Sequence, residues 1–259
     1  MQENLKTAIV TGATQGIGRA IASALLRRGC RVIAIGRSAD KMATLAQVES
    51  SAGDLLVCEA LDIADTDTFA KRLHDWIARF GRISYLVNAA GILVPGRLLD
   101  ASSASIRSVV ETNFLSTLEV TLAVARHMAT ERAGSIVTIG SIAATTARMG
   151  VGSYPASKAA ITHAMKCLGL ELAEYGVRCN IVSPGSTNTE MQRLFQSTAG
   201  SRDGVLNGDP KQFRVGIPLR RLAEPEDICE LVLFLLSDGS RHITMENIIV
   251  DGGATLGAR

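Results

Sequence analysis

The chain has 259 residues, 47% of them hydrophobic, which is enough to bury a large core and fits one α/β domain. Its net charge of +2, without basic clusters among aromatic residues, argues against a nucleic-acid partner. No apolar run reaches the length of a membrane span, and the N-terminus lacks a signal-peptide pattern. The five scattered cysteines predict reduced thiols in a cytoplasmic protein, and the four histidines lack metal-ligand spacing, so no metal site is predicted.

The first elements of the chain predict a phosphate-binding site. Residues 5–10 are an apolar strand candidate, a glycine-rich turn follows, and a helical pattern covers 17–28. Gly12 permits a tight turn, Gly16 lets a phosphate approach the backbone, and Gly18 lets helix and strand pack closely. The helix N-terminus adds unpaired N–H groups and the positive end of its dipole. A turn in this place is typical of a dinucleotide-binding fold, although its spacing differs from G-x-G-x-x-G.

The end of the second strand bears on the choice of dinucleotide. This strand is predicted at 31–35, and Gly36 and Arg37 follow it where an acidic residue would accept hydrogen bonds from a ribose 2′-hydroxyl. An arginine there favours a 2′-phosphate and therefore indicates NADP(H). The alternative is a surface arginine without a ligand. A helix is predicted next, at 40–50.

The third strand and the helix after it extend the alternating pattern. The strand is predicted at 55–60, and Asp62 and Ile63 follow its end, well placed to contact an adenine ring. Asp65 is predicted to be the N-cap of a helix that runs to about Phe80.

The fourth strand, at 83–87, leads into a run of small residues. Asn88 begins this run, and the small residues after it would let the backbone pass beneath a cofactor. A single long helix is predicted at 103–130 and contains Asn113. A polar amide within that amphipathic pattern is either a structural hydrogen-bonding residue or a relay beside the site.

The fifth strand and the next helix carry the chemical groups. Ser141 lies just past the strand predicted at 135–139, at the end where open parallel sheets bind ligands. Tyr154 and Lys158 are four residues apart, so on a helix both side chains project from one face. An ammonium beside a phenol favours the phenolate, so we expect a lowered Tyr154 pKa and a usable proton acceptor. The alternative is a chance Tyr-x-x-x-Lys motif on a solvated helix face.

The last part of the chain completes the sheet. A sixth strand is predicted at 177–182, a helix at 226–236 and a last strand at 247–250. The intervening region, about 188–215, is polar and contains glycines, so we predict an irregular, mobile lid over the substrate site. Strands alternating with helices throughout predict an α/β fold with one doubly wound parallel sheet.

Taken together, these motifs resemble the short-chain dehydrogenase/reductase family over essentially the whole chain. The resemblance implies a Rossmann-like seven-stranded parallel sheet, an NAD(P) cofactor and a homotetramer. It implies that Tyr154 is the acid/base, that Lys158 lowers its pKa and binds the nicotinamide ribose, that Ser141 holds the substrate oxygen, and that Asn113 supports a relay water. The cofactor-binding residues expected from the motifs are Gly12, Gln15, Gly16, Ile17, Gly18, Arg37, Asp62, Ile63, Asn88, Tyr154, Lys158, Pro184, Gly185, Thr187 and Thr189.

Further stretches resemble one subgroup of that family. These stretches are 88–93, 176–180, 183–187, 190–192, 216–219 and 242–244. The subgroup is usually NAD-dependent and oxidises 2,3-dihydro-2,3-dihydroxybenzoate to 2,3-dihydroxybenzoate in catechol siderophore biosynthesis. By this resemblance Arg148 would pair with the substrate carboxylate, and Met191 and Gln192 would join Ser141 and Tyr154 around the ring. Two alternatives stay open: an NADPH-dependent reductase of another ketone or 3-oxoacyl substrate, and an inactive dinucleotide-binding sensor.

Overall fold

The computed structural model describes residues 5–198 and 200–258 as a parallel sheet covered by helices on both faces. The main sheet is formed by β1 (Thr7–Thr11), β2 (Arg31–Gly36), β3 (Leu56–Ala60), β4 (Ile83–Asn88), β5 (Gly134–Ile139), β6 (Val177–Pro184) and β9 (Asn247–Val250). Its strand order is β3-β2-β1-β4-β5-β6-β9, and every pairing is parallel. The predicted doubly wound, seven-stranded sheet is therefore confirmed.

The helices lie between the strands along the chain. They are α1 (Gly16–Arg27), α2 (Ala39–Val48), α3 (Thr66–Phe80), α4 (Ser103–Val110), α5 (Thr117–Glu131), α6 (Tyr154–Leu172), α7 (Glu190–Thr198), α8 (Arg202–Asn207) and α9 (Pro225–Leu236). The Asp65 side chain accepts a hydrogen bond from the Thr68 N–H at 3.0 Å, which confirms Asp65 as the N-cap of α3. Among the described residues, no helix is long and apolar enough to cross a membrane, and no cluster of side chains is suited to hold a metal ion.

The strands have continuous apolar sequences because both faces of the sheet are buried. Along β1, Ala8 and Val10 belong to the hydrophobic cluster that includes α1 and α9. Ile9, between them, belongs to the cluster on the opposite face, with α3, α5 and α6. Alternate side chains of one strand thus fill two separate cores.

The strand order reverses at β1, and this reversal positions the site. β1 pairs with β2 on one side and with β4 on the other, where Thr11 is opposite Asn88. The chain leaves these neighbouring strands towards opposite faces of the sheet, which opens a crevice at their carboxyl ends.

The prediction of one long helix at 103–130 is wrong in one respect. The segment consists of α4 and α5 joined by a π-helical turn, Glu111–Ser116. The turn is stabilised by the Thr117 hydroxyl, which donates a hydrogen bond to the Thr112 carbonyl at 3.0 Å. One such turn changes the phase of the side chains after it, and Asn113 lies within it.

The segment predicted to be irregular is ordered into secondary structure. It contains α7, α8 and a hairpin of β7 (Gly208–Asp209) and β8 (Arg214–Val215). Phe195 and Val205 from this region, and Ile217 just after it, are buried with Ile142 and Ala254 in a third hydrophobic cluster. The apolar contacts of these side chains explain why a polar, glycine-containing stretch forms helices here. Its mobility stays a prediction.

Candidate active site

A cleft of about 650 Å³ opens above the carboxyl ends of the central strands. Most of the predicted site residues line it, whereas Asn88 and Asn113 do not. The predicted residues in its wall are Gly12, Gln15, Gly16, Ile17, Gly18, Arg37, Asp62, Ile63, Ser141, Arg148, Tyr154, Lys158, Pro184, Gly185, Thr187, Thr189, Met191 and Gln192.

The glycine-rich turn at one end of the cleft is shaped for an anion. Gly12 has a φ of 67°, and a Cβ there would lie 2.7 Å from the Ala90 Cα. A Cβ on Gly18 would collide with the Gly12 carbonyl oxygen, so the turn, α1 and the β4 loop pack backbone to backbone. The N-cap residue Gln15 offers no side-chain cap, and the first turn of α1 holds no acidic residue. The uncapped amides and the positive helix end fit a pyrophosphate group.

The opposite wall of this region is basic. Arg37 is exposed at the end of β2. Lys41, which the sequence analysis missed, also lines the cleft, where its Nζ donates to the Gln15 side chain and lies 3.0 Å from Glu190 Oε2. Asp62 uses its carboxylate to accept the Ala64 N–H at 3.0 Å. Arg37 and Lys41 are the cations of this part of the cleft, and Lys41 is paired with Glu190.

The cleft brings together the three residues that carry reactive groups. Tyr154 and Lys158 lie one turn apart on α6, with Lys158 Nζ 5.8 Å from the centre of the Tyr154 ring. Lys158 is only 6% exposed and donates a hydrogen bond to the Ile139 carbonyl at 2.8 Å. Ser141 follows β5, where its hydroxyl accepts the Ala143 N–H at 3.1 Å and hydrogen-bonds the Tyr154 phenol.

Burial shifts the pKa values of Tyr154 and Lys158. The shift of the Tyr154 pKa is opposite to the predicted one. Desolvation raises the pKa of the Tyr154 phenol above its ordinary value, and the hydrogen bond with Ser141 offsets part of this rise. Desolvation also lowers the pKa of Lys158 from 10.5 to about 8. The expected lowering of the Tyr154 pKa by Lys158 is therefore wrong for this structure. Burial disfavours phenolate and ammonium alike, so it moves the two pKa values in opposite directions.

Asn113 supports the site from behind the cleft wall. It is 1% exposed, and its Oδ1 accepts the Ile92 N–H at 2.8 Å. Its Nδ2 donates to the Ile92 carbonyl at 2.9 Å and to the Ser157 hydroxyl at 3.0 Å. Asn113 therefore ties the loop after β4 to α6, beside the reactive residues.

Asn88 also lies outside the cleft wall, and its contact with the cofactor stays a prediction. Its buried amide donates to the hydroxyls of Thr121 at 2.8 Å and Thr138 at 3.0 Å. These bonds connect β4 with α5 and β5. The small residues after Asn88, from Ala89 to Gly91, line the cleft in its place.

The far end of the cleft holds polar groups that lack partners among the described residues. Arg148 is half-buried there, and within the described residues its guanidinium makes no hydrogen bond or ion pair. Burial lowers the pKa of this guanidinium, with a smaller opposing effect from Asp251. The buried Gln192 Nε2 also has no hydrogen-bond partner. Arg214, which the sequence analysis missed, lines the same end of the cleft.

Comparisons with known proteins agree with this geometry. A family model described as "Enoyl-(Acyl carrier protein) reductase" matches residues 12–255. A 2,3-dihydro-2,3-dihydroxybenzoate dehydrogenase of Bacillus subtilis is 40% identical, over 97% of each chain. A 3-oxoacyl-[acyl-carrier-protein] reductase of Salmonella typhimurium is 34% identical, over 96% of each chain. The crystal structure of a short-chain type dehydrogenase/reductase from Mycobacterium marinum superposes with a TM-score of 0.86 at 30% identity, covering 96% of this chain and 95% of that one. The chain therefore belongs to the short-chain dehydrogenase/reductase family of NAD(P)-dependent oxidoreductases.

Proposed function

We propose that this enzyme oxidises 2,3-dihydro-2,3-dihydroxybenzoate to 2,3-dihydroxybenzoate, a step in catechol siderophore biosynthesis. The observation that carries the proposal is Arg148, a half-buried guanidinium without a hydrogen bond or ion pair among the described residues, in the same cleft as Tyr154 and Ser141. A small carboxylate satisfies such a group with two parallel hydrogen bonds, whereas a thioester offers it no charge. The identity to the Bacillus subtilis dehydrogenase, 40% against 34% for the Salmonella typhimurium reductase, supports the same choice.

The cofactor would be held by residues along the rest of the cleft. The glycine turn and α1 would hold the pyrophosphate, and Asp62 and Ile63 would hold the adenosine. Pro184, Gly185, Thr187 and Thr189 border the nicotinamide half. A bound nicotinamide would supply the acceptor for the hydride that leaves the substrate's carbinol carbon. Arg37 and Lys41 support binding of a 2′-phosphate, so we expect the enzyme to accept NADP as well as NAD.

The residues of this chain supply positioning and proton transfer. Ser141 holds the substrate hydroxyl by a hydrogen bond, and Tyr154 takes its proton as the carbinol C–H bond breaks. Lys158 binds the nicotinamide ribose and, when charged, stabilises the phenolate. Asn113 holds the backbone of Ile92 and the hydroxyl of Ser157 and so supports a relay that returns the proton to solvent. The ketone formed on the ring tautomerises to a catechol, and this aromatisation makes the oxidation effectively one-way.

A turnover screen tests the proposal. The substrates are 2,3-dihydro-2,3-dihydroxybenzoate, simple cyclic alcohols and a 3-oxoacyl thioester, each assayed in its own direction with NAD(H) and NADP(H). We expect kcat/KM for the dihydrodiol acid to exceed that for the cyclic alcohols by roughly 100-fold, the value of a charged hydrogen-bonded contact. Equal use of the cyclic alcohols, or faster reduction of the thioester, would overturn the proposed substrate.

We also propose that the enzyme is a cytoplasmic homotetramer with a mobile lid at about 188–215. Light scattering of the purified protein measures the mass of the assembly against the 27.4 kDa chain. Hydrogen exchange with and without cofactor and product measures the mobility of the lid, and protection on binding is the expected result.

A further inference from the structure

Two arginines that are far apart in the sequence face the same end of the cleft. Arg148 lies in the loop before α6, and Arg214 lies on β8 of the lid hairpin. Neither belongs to the glycine turn or to the basic wall at the other end. Tyr154, Gln192 and Phe195 line the cleft with them.

Arg214 is oriented by two contacts that leave most of its guanidinium donors unused. Its Nη2 donates a hydrogen bond to the Ser186 hydroxyl at 2.9 Å. Its guanidinium carbon lies 5.6 Å from the centre of the buried Phe195 ring, in reach of a cation–π interaction. A guanidinium has five N–H donors, so a bidentate ligand can bind without breaking the bond to Ser186.

Within the part of the chain that the structure describes, no ion pair neutralises the charges of the two arginines. Burial lowers the pKa of Arg214 to about 10, and repulsion from Arg148 contributes to this shift. Asp209 and Asp251 are the nearby carboxylates that act on them, but among the described residues neither forms an ion pair with either arginine. The Asp251 carboxylate instead accepts the Thr255 N–H and hydroxyl, both at 2.8 Å. An anion bound between the guanidiniums relieves their repulsion and replaces the water that burial removed.

We propose that Arg214 is a second carboxylate-binding residue and that Arg148 and Arg214 together hold the carboxylate of the substrate from two sides. The inference rests on the proposed function for the identity of the ring. The two-arginine site itself requires only a carboxylate on an aromatic or other ring. Because Arg214 belongs to the lid and Arg148 does not, the carboxylate connects the lid to the loop before α6. Gln192, whose Nε2 has no hydrogen-bond partner among the described residues, lines the same cleft.

Steady-state kinetics of the variant Arg214→Gln test the assignment. The control is Arg202→Gln, which removes the same charge from an exposed position on α8 outside the cleft. For the dihydrodiol acid, we expect Arg214→Gln to raise KM by roughly 10- to 100-fold with little change in kcat, because the contact is equal in ground and transition states. The neutral dihydrodiol that lacks the carboxylate should react equally with wild type, Arg214→Gln and control. An equal loss on both substrates would assign Arg214 a structural role and overturn the inference.

Binding of benzoate to the holoenzyme, measured by calorimetry, tests the carboxylate site without turnover. We expect its Kd to rise by a similar factor in Arg214→Gln and to be restored in part by Arg214→Lys. Unchanged benzoate binding in Arg214→Gln would refute the two-arginine site. Wild type could fail to oxidise the dihydrodiol acid and still bind benzoate, with that binding lost in Arg214→Gln. In that case the proposed substrate is wrong and the carboxylate site stands.

Discussion

Replacing Lys158 with methionine should inactivate the enzyme and stabilise its fold at neutral pH. The ammonium is 6% exposed, and its one protein hydrogen bond in the described structure is to the Ile139 carbonyl. Methionine has a similar length and no charge, so it fills the space of the lysine stem. The substitution therefore removes a charge from a dehydrated position with little change in packing.

The size of the effect follows from the lysine pKa. Burial lowers it from 10.5 to about 8, and at about 1.4 kcal/mol per pH unit the charged form costs about 3 kcal/mol. The variant leaves the Ile139 carbonyl without a donor, which costs about 1 kcal/mol. We therefore expect a gain of about 2 kcal/mol in the free energy of unfolding at pH 7.

The lowered lysine pKa also predicts how the stability of the wild type changes with pH. Below about pH 8 lysine is charged in both folded and unfolded wild type, so the full cost is present. Between about 8 and 10.5 the unfolded chain keeps the proton that the folded one has lost, so wild-type stability rises with pH. Above 10.5 the cost is gone, and the advantage of Lys158→Met should disappear.

Urea unfolding of the cofactor-free proteins at pH 7, 9 and 10.5 measures this difference, at one fixed protein concentration because any self-association would affect stability. Lys166→Met is the matched control, since Lys166 is exposed on the same helix. The control should follow wild type at every pH. A stability difference between Lys158→Met and wild type that does not change from pH 7 to 10.5 would refute the reasoning.

Three further predictions concern the other residues of the cleft. Tyr154→Phe should lower kcat by roughly 10²- to 10⁴-fold. Wild-type oxidation should become faster with rising pH because burial raises the phenol pKa. A pH–rate profile of both proteins measures these effects, and full turnover in Tyr154→Phe would show that Tyr154 takes no part in the chemistry. Arg37→Ala should lower kcat/KM for NADP by about tenfold or more and leave NAD unchanged, so an unaltered ratio of the two specificity constants would exclude Arg37 from 2′-phosphate binding. Asn113→Ala leaves the Ile92 N–H and carbonyl unpaired and should cost about 2–3 kcal/mol in urea unfolding, whereas a loss below about 0.5 kcal/mol would contradict its structural role.

Local patterns predicted the elements well because each depends on neighbours in the chain. The buried strands follow from continuous apolar runs, and the cap of α3 follows from an aspartate three residues before the N–H that it accepts. The π-helical turn around Asn113 escaped this reasoning, since its extra residue shifts the helical phase without ending the apolar pattern. The helices α7 and α8 were not predicted because their few apolar side chains, such as Phe195, pack on residues that are distant in the sequence.

The sequence by itself determined the placement of Tyr154 beside Lys158 and of the glycine turn at the start of α1. Both depend on spacing within one element, and the helical repeat and backbone sterics act over a few residues. Only the tertiary structure decided the protonation of the pair and the meeting of Arg148 with Arg214. Burial depends on every element packed around a group, and loops distant in sequence become neighbours only when the sheet brings them to one cleft. For this reason spacing predicted a lowered Tyr154 pKa, while the folded environment raises it.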